Sequence, residues 1–216
     1  RKRMKYESLI LDIDGTLWDS RALVAEGYNL QLRAEGLERF FVSAEQLKPL
    51  FGKVMTEIAD SIFAQVPPEQ RYPLMERCMA RENRYLHENP CRIGYPGVRE
   101  TLEALSRNHR LFIVSNSQQG YPELCMEKLG LQDLIRAHLC FGDTGTDKGT
   151  TIRILMERQG IDSAAYIGDT EGDREAARKA GIDFLWAAYG FGTVADFAEK
   201  LNAPADLLRL EREGRL

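Results

Sequence analysis

Short, unbroken apolar runs recur along this chain, each the length of one strand and each stopping at polar or glycine residues. Glu7 to Leu11, Leu111 to Val114, Ala137 to Phe141, Ala165 to Gly168 and Phe184 to Ala188 are continuous, not alternating. Strands read this way when both faces are covered, as in a parallel sheet. Between the later runs the spacing becomes helical: Val98, Leu102 and Leu105; Leu124, Lys128 and Leu129; Ile152 and Leu155; then Glu171 to Ala180, closed by Gly181. Strand and helix in alternation predict an α/β architecture with a doubly wound parallel sheet. Such sheets bind ligands at the carboxyl ends of their strands.

Roughly a hundred residues separate the first two runs, far more than one β-α-β crossover needs. Their pattern is helical too: Leu23, Gly27, Leu30 and Ala34; then Val54, Met55, Ile58, Ala59, Ile62 and Phe63; then Leu74, Met75, Cys78, Met79, Tyr85 and Leu86. Pro67-Pro68 separates two of these helices, and Asn89-Pro90 with Gly94-Tyr95-Pro96-Gly97 marks a return to the first architecture. The expected division is an α/β core over 4–19 and 95–216, with an inserted α-helical domain over 20–94. No internal repeat or low-complexity segment interrupts it.

With 44% apolar and 29% charged residues in 216, the chain reads as an ordinary soluble protein. No run approaches the roughly 18 apolar residues of a membrane span, and no apolar signal core opens it. A cytoplasmic protein that engages no membrane, as monomer or homodimer, is expected. The net charge of −4 argues against a nucleic-acid partner, and Arg1-Lys2-Arg3 is too short for a nucleic-acid arm. Cys78, Cys91, Cys125 and Cys140 lack C-x-x-C spacing and read as reduced core residues. His87, His109 and His138 lack metal-ligand spacing. Between Ser20 and Gly94 acids and bases balance, ten of each, so the acidic excess lies where Asp12, Asp14, Asp169 and Asp173 are. If these four meet, their repulsion requires raised pKa values or a divalent cation.

Each candidate chemical group stands where an apolar run ends. Asp12 follows the first run directly, so its carboxylate can attack an electrophile at the sheet edge. Asp14 can protonate a leaving oxygen and later take a proton from water. Gly15 allows the backbone close to a phosphate. Ser115 and Asn116 end the second run and can donate to phosphate oxygens. Lys148, in a loop before a helix, can offset the charge of nucleophile and phosphate. Asp169 ends the fourth run and Asp173 follows one helical turn on, a pair suited to magnesium with its oxygen ligands and retained waters. Each also has a plainer explanation: Asp-Gly and Ser-Asn-Ser as turns, Lys148 as a solvated loop residue, Asp169 as a helix cap. Gly142 to Thr150 falls short of a Walker A loop, with Asp147 before the lysine and Gly149 where a hydroxyl would hold magnesium.

Taken in order, Asp12-Ile-Asp-Gly-Thr-Leu-Trp-Asp-Ser, Tyr95-Pro-Gly-Val, Ile113-Val-Ser-Asn-Ser, Lys148, Gly168-Asp169 to Asp173 and Tyr189-Gly-Phe-Gly resemble the haloacid dehalogenase superfamily, in its phosphoglycolate-phosphatase-like branch. The resemblance implies a magnesium-dependent phosphatase acting on a small phosphomonoester, such as phosphoglycolate or a sugar phosphate. It implies Asp12 as nucleophile, Asp14 as acid and base, and Ser115 and Lys148 on the phosphate. Magnesium would be held by Asp12, the Asp14 carbonyl and Asp169, with Asp173 in support, and the inserted helices would form a mobile cap. Asp14 argues against dehalogenases and phosphonoacetaldehyde hydrolases, which lack it or usually do. Lys53 does not match the cap lysine of the latter and reads as a surface residue. β-Phosphoglucomutase-like mutases share all these core motifs and remain the alternative; a non-catalytic binding protein on the same fold is the third reading.

Overall fold

A computed structural model describes residues 4–216, so the basic triplet Arg1 to Arg3 lies outside the described residues. Six parallel strands form one sheet, ordered β3-β2-β1-β4-β5-β6. They are β1 (Ser8–Leu11), β2 (Arg110–Ser115), β3 (Ile135–Cys140), β4 (Ala164–Gly168), β5 (Asp183–Ala187) and β6 (Glu199–Leu201). The apolar runs are continuous because both faces are buried. Leu9, Leu11, Ile113, Ile167 and Leu185 pack on one side, against α5 (Val98–Leu105), α6 (Tyr121–Leu129) and α10 (Asp206–Arg212). Ile10, Phe112, Val114, Tyr166 and Phe184 pack on the other, against α8 (Lys148–Gln159) and α9 (Glu171–Ala180). The architecture is therefore the doubly wound one the pattern predicts.

Two details of the strands differ from the sequence reading. Phe141 leaves the third strand and opens a short helix, α7 (Phe141–Thr144). The sixth strand was not anticipated, because three residues, two of them charged, carry no apolar run; at a sheet edge such a strand needs none.

After β1 the chain passes to β2 and β3 on one side of it, and then crosses to β4 on the other. The connections on the two sides of β1 thus diverge, leaving a crevice at the carboxyl ends of β1 and β4. Between β1 and β2 lie α1 (Arg21–Ala34), α2 (Ala44–Leu47), α3 (Met55–Ile62) and α4 (Pro68–Glu88). α1 packs along α4, and their apolar faces join the cluster on one face of the sheet. Gly27 permits that approach: a Cβ there would stand 2.8 Å from the Glu82 Cα. Cys78, Cys125 and Cys140 are buried free thiols and Cys91 is a partly buried one, in keeping with the reduced reading. Among the described residues no helix is long and apolar enough to cross a membrane.

Candidate active site

Asp12 is the first residue past β1, and its N–H donates to the Ile167 carbonyl at 2.9 Å, fixing it beside the end of β4. Lys148, the first residue of α8, reaches the same point from the other side of the crevice. Its Nζ lies 3.1 Å from Asp12 Oδ1 and 2.6 Å from Asp173 Oδ1, and all three side chains are buried. The second Asp173 oxygen accepts from the N–H groups of Asp169 at 2.9 Å and Thr170 at 3.1 Å. Thr170 is the N-cap of α9 and completes a capping box with Asp173, so the cap role open to Asp169 in the sequence belongs to Thr170. Asp169 is thereby left at the tip of β4, where its Oδ2 accepts from the Phe191 N–H at 2.9 Å.

Two oxygens of this cluster have no partner: Asp12 Oδ2 and Asp169 Oδ1, both buried. Asp12, Asp169 and Asp173 each offer an oxygen within 4.8 Å of the others. Burial pushes the Asp12 carboxyl up to about 8, with the Asp173 charge adding to the rise and Lys148 opposing it. Burial, then Asp173 and Asp12, push Asp169 well above the carboxylate range. Asp173 goes the other way: burial opposes its charge, but Lys148 holds it below its ordinary value. Lys148 in turn stays charged against burial because Asp12 and Asp173 flank it. One ammonium thus faces three buried carboxylates, and the excess negative charge with two unpartnered oxygens suits a hard, oxygen-liganded divalent cation.

Gly15 belongs to the same construction. Its φ is +78°, and a Cβ there would collide with the Asp169 carboxylate. The Asp169 carboxylate fits there only because position 15 carries no side chain.

Asp14 stands outside the three-carboxylate group. Its Oδ1 accepts from Trp18 Nε1 at 2.9 Å, Ser20 Oγ at 2.8 Å and Tyr121 OH at 2.6 Å. Burial raises its carboxyl to about 6 against those three bonds, which favour the charged form. With Oδ1 fully engaged, Oδ2 is the oxygen free to carry a proton.

Ser115 Oγ donates to Ser117 Oγ at 2.9 Å at the end of β2. Asn116 reaches across to the inserted helices, donating from Nδ2 to the Gly52 carbonyl at 2.8 Å. A small cavity of about 50 Å³ lies between them, with Asp12, Asp14 and Ser115 on the sheet side and Tyr28, Lys53 and Glu82 opposite. A wider cleft of about 540 Å³, flanked by Lys53, Asn116, Lys148 and Thr170, lies alongside. Lys53 is exposed and pairs with Glu57 at 3.8 Å, in keeping with a surface residue at the mouth of the site. The Walker-like loop is not a phosphate nest: Asp147 caps α8 and pairs with Lys179 at 2.9 Å, while Lys148 turns inward to Asp12.

The sequence reading assigned no role to Trp18, Ser20 or Tyr121, because Tyr121 meets Asp14 only through the fold. It also passed over Glu82. The signal for that one was available: Glu82 interrupts the apolar stripe of α4 between Met79 and Leu86 at helical spacing.

The model of the haloacid dehalogenase-like hydrolases matches residues 9–187. Phosphoglycolate phosphatase of Aquifex aeolicus is 29% identical over 213 residues, covering 94% of this chain and 95% of that protein. Phosphoglycolate phosphatase of Agrobacterium fabrum is 30% identical over 196 residues, covering 86% and 82%. In fold, a predicted phosphoglycolate phosphatase from Haemophilus somnus superposes with a TM-score of 0.80 at 22% identity, over 96% of this chain and 99% of the other. The match spans the segments that hold Asp12, Ser115, Lys148 and Asp169, and the chain belongs to the haloacid dehalogenase-like hydrolases, in the phosphoglycolate-phosphatase-like branch, as a hydrolase of the phosphatase type.

Proposed function

We propose that the protein hydrolyses a small phosphomonoester with magnesium, through a phosphoryl group held transiently on Asp12. The observation that carries this reading is the divided Asp12 carboxylate: Oδ1 pairs with Lys148, while Oδ2 is buried and unpartnered beside the cavity. Lys148 favours the ionised carboxylate against the rise that burial imposes, and in that form Oδ2 is the atom that attacks phosphorus. The phosphorus–oxygen bond to the alcohol breaks as the Asp12–phosphorus bond forms, and the alkoxide takes the proton from Asp14 Oδ2. Asp14, now charged, is stabilised by Trp18, Ser20 and Tyr121 and can accept a proton from the incoming water. That water attacks phosphorus, releases phosphate and returns Asp12.

Magnesium fits Asp12, Asp169 and Asp173, with the Asp14 carbonyl as a further ligand, and when bound it would neutralise phosphoryl oxygens and the surplus of buried acid. Ser115 and Asn116 at the strand tip are assigned to the remaining phosphoryl oxygens. We assign residues 20–94 to a cap that shelters the reaction from water. The Asn116 bond to Gly52 and the edge-on Phe51–Phe191 pair, with centroids 5.6 Å apart, hold that segment to the core.

The test is phosphate release from a panel of phosphomonoesters with magnesium and with chelator. Asp12→Asn is expected to lower turnover by about a thousandfold or more while the unfolding midpoint is retained. Turnover retained in that variant sinks the covalent mechanism.

A further inference from the structure

We infer that Tyr121 is the positioning residue of Asp14, holding its carboxyl so that Oδ2 meets the oxygen of the departing alcohol, and that Asn83 on α4 seats Tyr121 for this task. The inference rests on the phosphatase reading and adds to it two residues that act through Asp14.

Three donors converge on Asp14 Oδ1, and they are not equivalent. Trp18 and Ser20 lie four and six residues further along the same stretch of chain, so they move with the loop that carries Asp14. Tyr121 comes from α6, 107 residues away, and makes the shortest of the three bonds, 2.6 Å. Of the three, it alone ties the carboxyl to a separate element of the fold. Its hydroxyl also lies 2.8 Å from Ser20 Oγ and 3.2 Å from Trp18 Nε1, so one group joins everything that surrounds Oδ1. Tyr121 is buried, and its ring stands edge-on to the Trp18 indole with centroids 5.5 Å apart. Trp18 and Ser20 would already satisfy a buried oxygen; a third donor from another direction restrains the carboxyl against rotation and fixes the aim of Oδ2. Asp14 and Tyr121 both line the small cavity that Asp12 faces.

The seat of Tyr121 is set from the inserted helices. Tyr121 opens α6 directly after Gly120, whose φ of +83° turns the chain out of the loop that follows β2. Asn83 on α4 holds that loop with both ends of its amide. Nδ2 donates to the Gln119 carbonyl at 3.1 Å, and Oδ1 accepts from Gln118 Nε2 at 2.8 Å. Gly120 suits both demands, since it takes the left-handed turn without strain and a Cβ there would stand 3.4 Å from Asn83 Nδ2. The loop that delivers Tyr121 is thus gripped by α4, and a shift of that loop reaches Asp14 through the Tyr121 hydroxyl.

The experiment separates leaving groups that need a proton from one that does not. When the phosphorus–oxygen bond of an alkyl ester breaks, the alkoxide takes the proton of Asp14 Oδ2; when that of acetyl phosphate breaks, the electron pair leaves on a carboxylate that is stable without one. We therefore compare kcat/KM, which reports events up to loss of the leaving group, for ethyl phosphate, 2-phosphoglycolate and acetyl phosphate. Wild type, Tyr121→Phe and Asn83→Ala are measured in saturating magnesium, with Asp12→Asn as the blank and unfolding midpoints as the check on the fold. Tyr121→Phe keeps the ring against Trp18 and removes only the hydroxyl. It should lower kcat/KM by about 10- to 100-fold for both alkyl esters and by less than about threefold for acetyl phosphate. Asn83→Ala should repeat that selective loss at about three- to tenfold, and it decides the matter if Tyr121→Phe loses its fold. A merely structural role lowers all three substrates together, and that result overturns the inference, as does a Tyr121→Phe enzyme unchanged toward the alkyl esters. An Asn83→Ala enzyme without the selective loss overturns the role given to Asn83. No release by the wild type from any of the three overturns the phosphatase reading as well.

Discussion

The two walls of the cavity are built on opposite rules. On the sheet side charges are crowded and cross-linked, with Asp12 Oδ2 and Asp169 Oδ1 left open: Lys148 bridges Asp12 and Asp173, Asp173 accepts from two backbone N–H groups, and Asp14 receives three donors on one oxygen. On the helix side the wall is mostly apolar, with one buried carboxyl, Glu82, partly unsatisfied and one lysine facing out. Fixed charges on strand tips suit chemistry, where a misplaced group forfeits the transition state. A sparse wall with a single acceptor suits selection, where changing one residue changes the partner. On the proposed function, chemistry and selection would separate along the boundary between sheet and inserted helices.

The comparison can be broken most forcefully at Lys148. Lys148→Met leaves Asp12 and Asp173 buried without their cation, and should cost about 3–5 kcal/mol in denaturant unfolding measured with chelator. A smaller loss, within error of zero, would mean that the sheet wall is not held by its charges. Gly15→Ala forces Asp169 out of its place and should weaken magnesium by about 10- to 100-fold in a direct binding titration, with the fold retained. Unchanged affinity would remove Asp169 from the metal set.

On the helix side the effect is expected in pH dependence. Burial and the charge of Asp14 raise the Glu82 carboxyl from 4.5 to about 8, against Gln118 and Tyr28, which lower it. Its native state thus keeps a proton that the unfolded chain loses, so its contribution is fully present below the unfolded value and is lost as pH rises through about 8. Glu82→Gln lacks that slope. Its thermal midpoint relative to wild type, both in saturating magnesium, should rise steadily over the same window, by up to a few kcal/mol in free energy. A difference that is flat with pH would place Glu82 in solvent contact. The smallest effect is expected where the walls meet: Asn116→Ala removes the bond to the Gly52 carbonyl and should raise KM about two- to fivefold.

Much of the sheet wall was legible before any coordinates. Its chemical groups lie at the ends of apolar runs, and a parallel strand presents its carboxyl end to ligands whatever the details of packing. Asp12, Ser115, Lys148 and Asp169 were found for that reason. Their division of labour was not legible, since Asp169 and Thr170 compete for the same cap in sequence and only the observed hydrogen bonds separate them. Gly15 was read as admitting a phosphate; what no local pattern showed is that its missing side chain makes room for the carboxylate of Asp169, more than 150 residues later. Glu82 was passed over because a helical stripe was read for its apolar members and not for its exception.

Periodicity and strand-end chemistry alone determined the α/β class, the helical character of the insertion and which polar residues stand near the carboxyl edge of the sheet, because those signals are local and repeat within a few residues. Tertiary structure decided which oxygens remain unpartnered, which donors surround Asp14 and which residue of α4 faces the reaction. Those depend on contacts between segments far apart in the chain, such as Tyr121 with Asp14 and α1 with α4, and no local pattern encodes them.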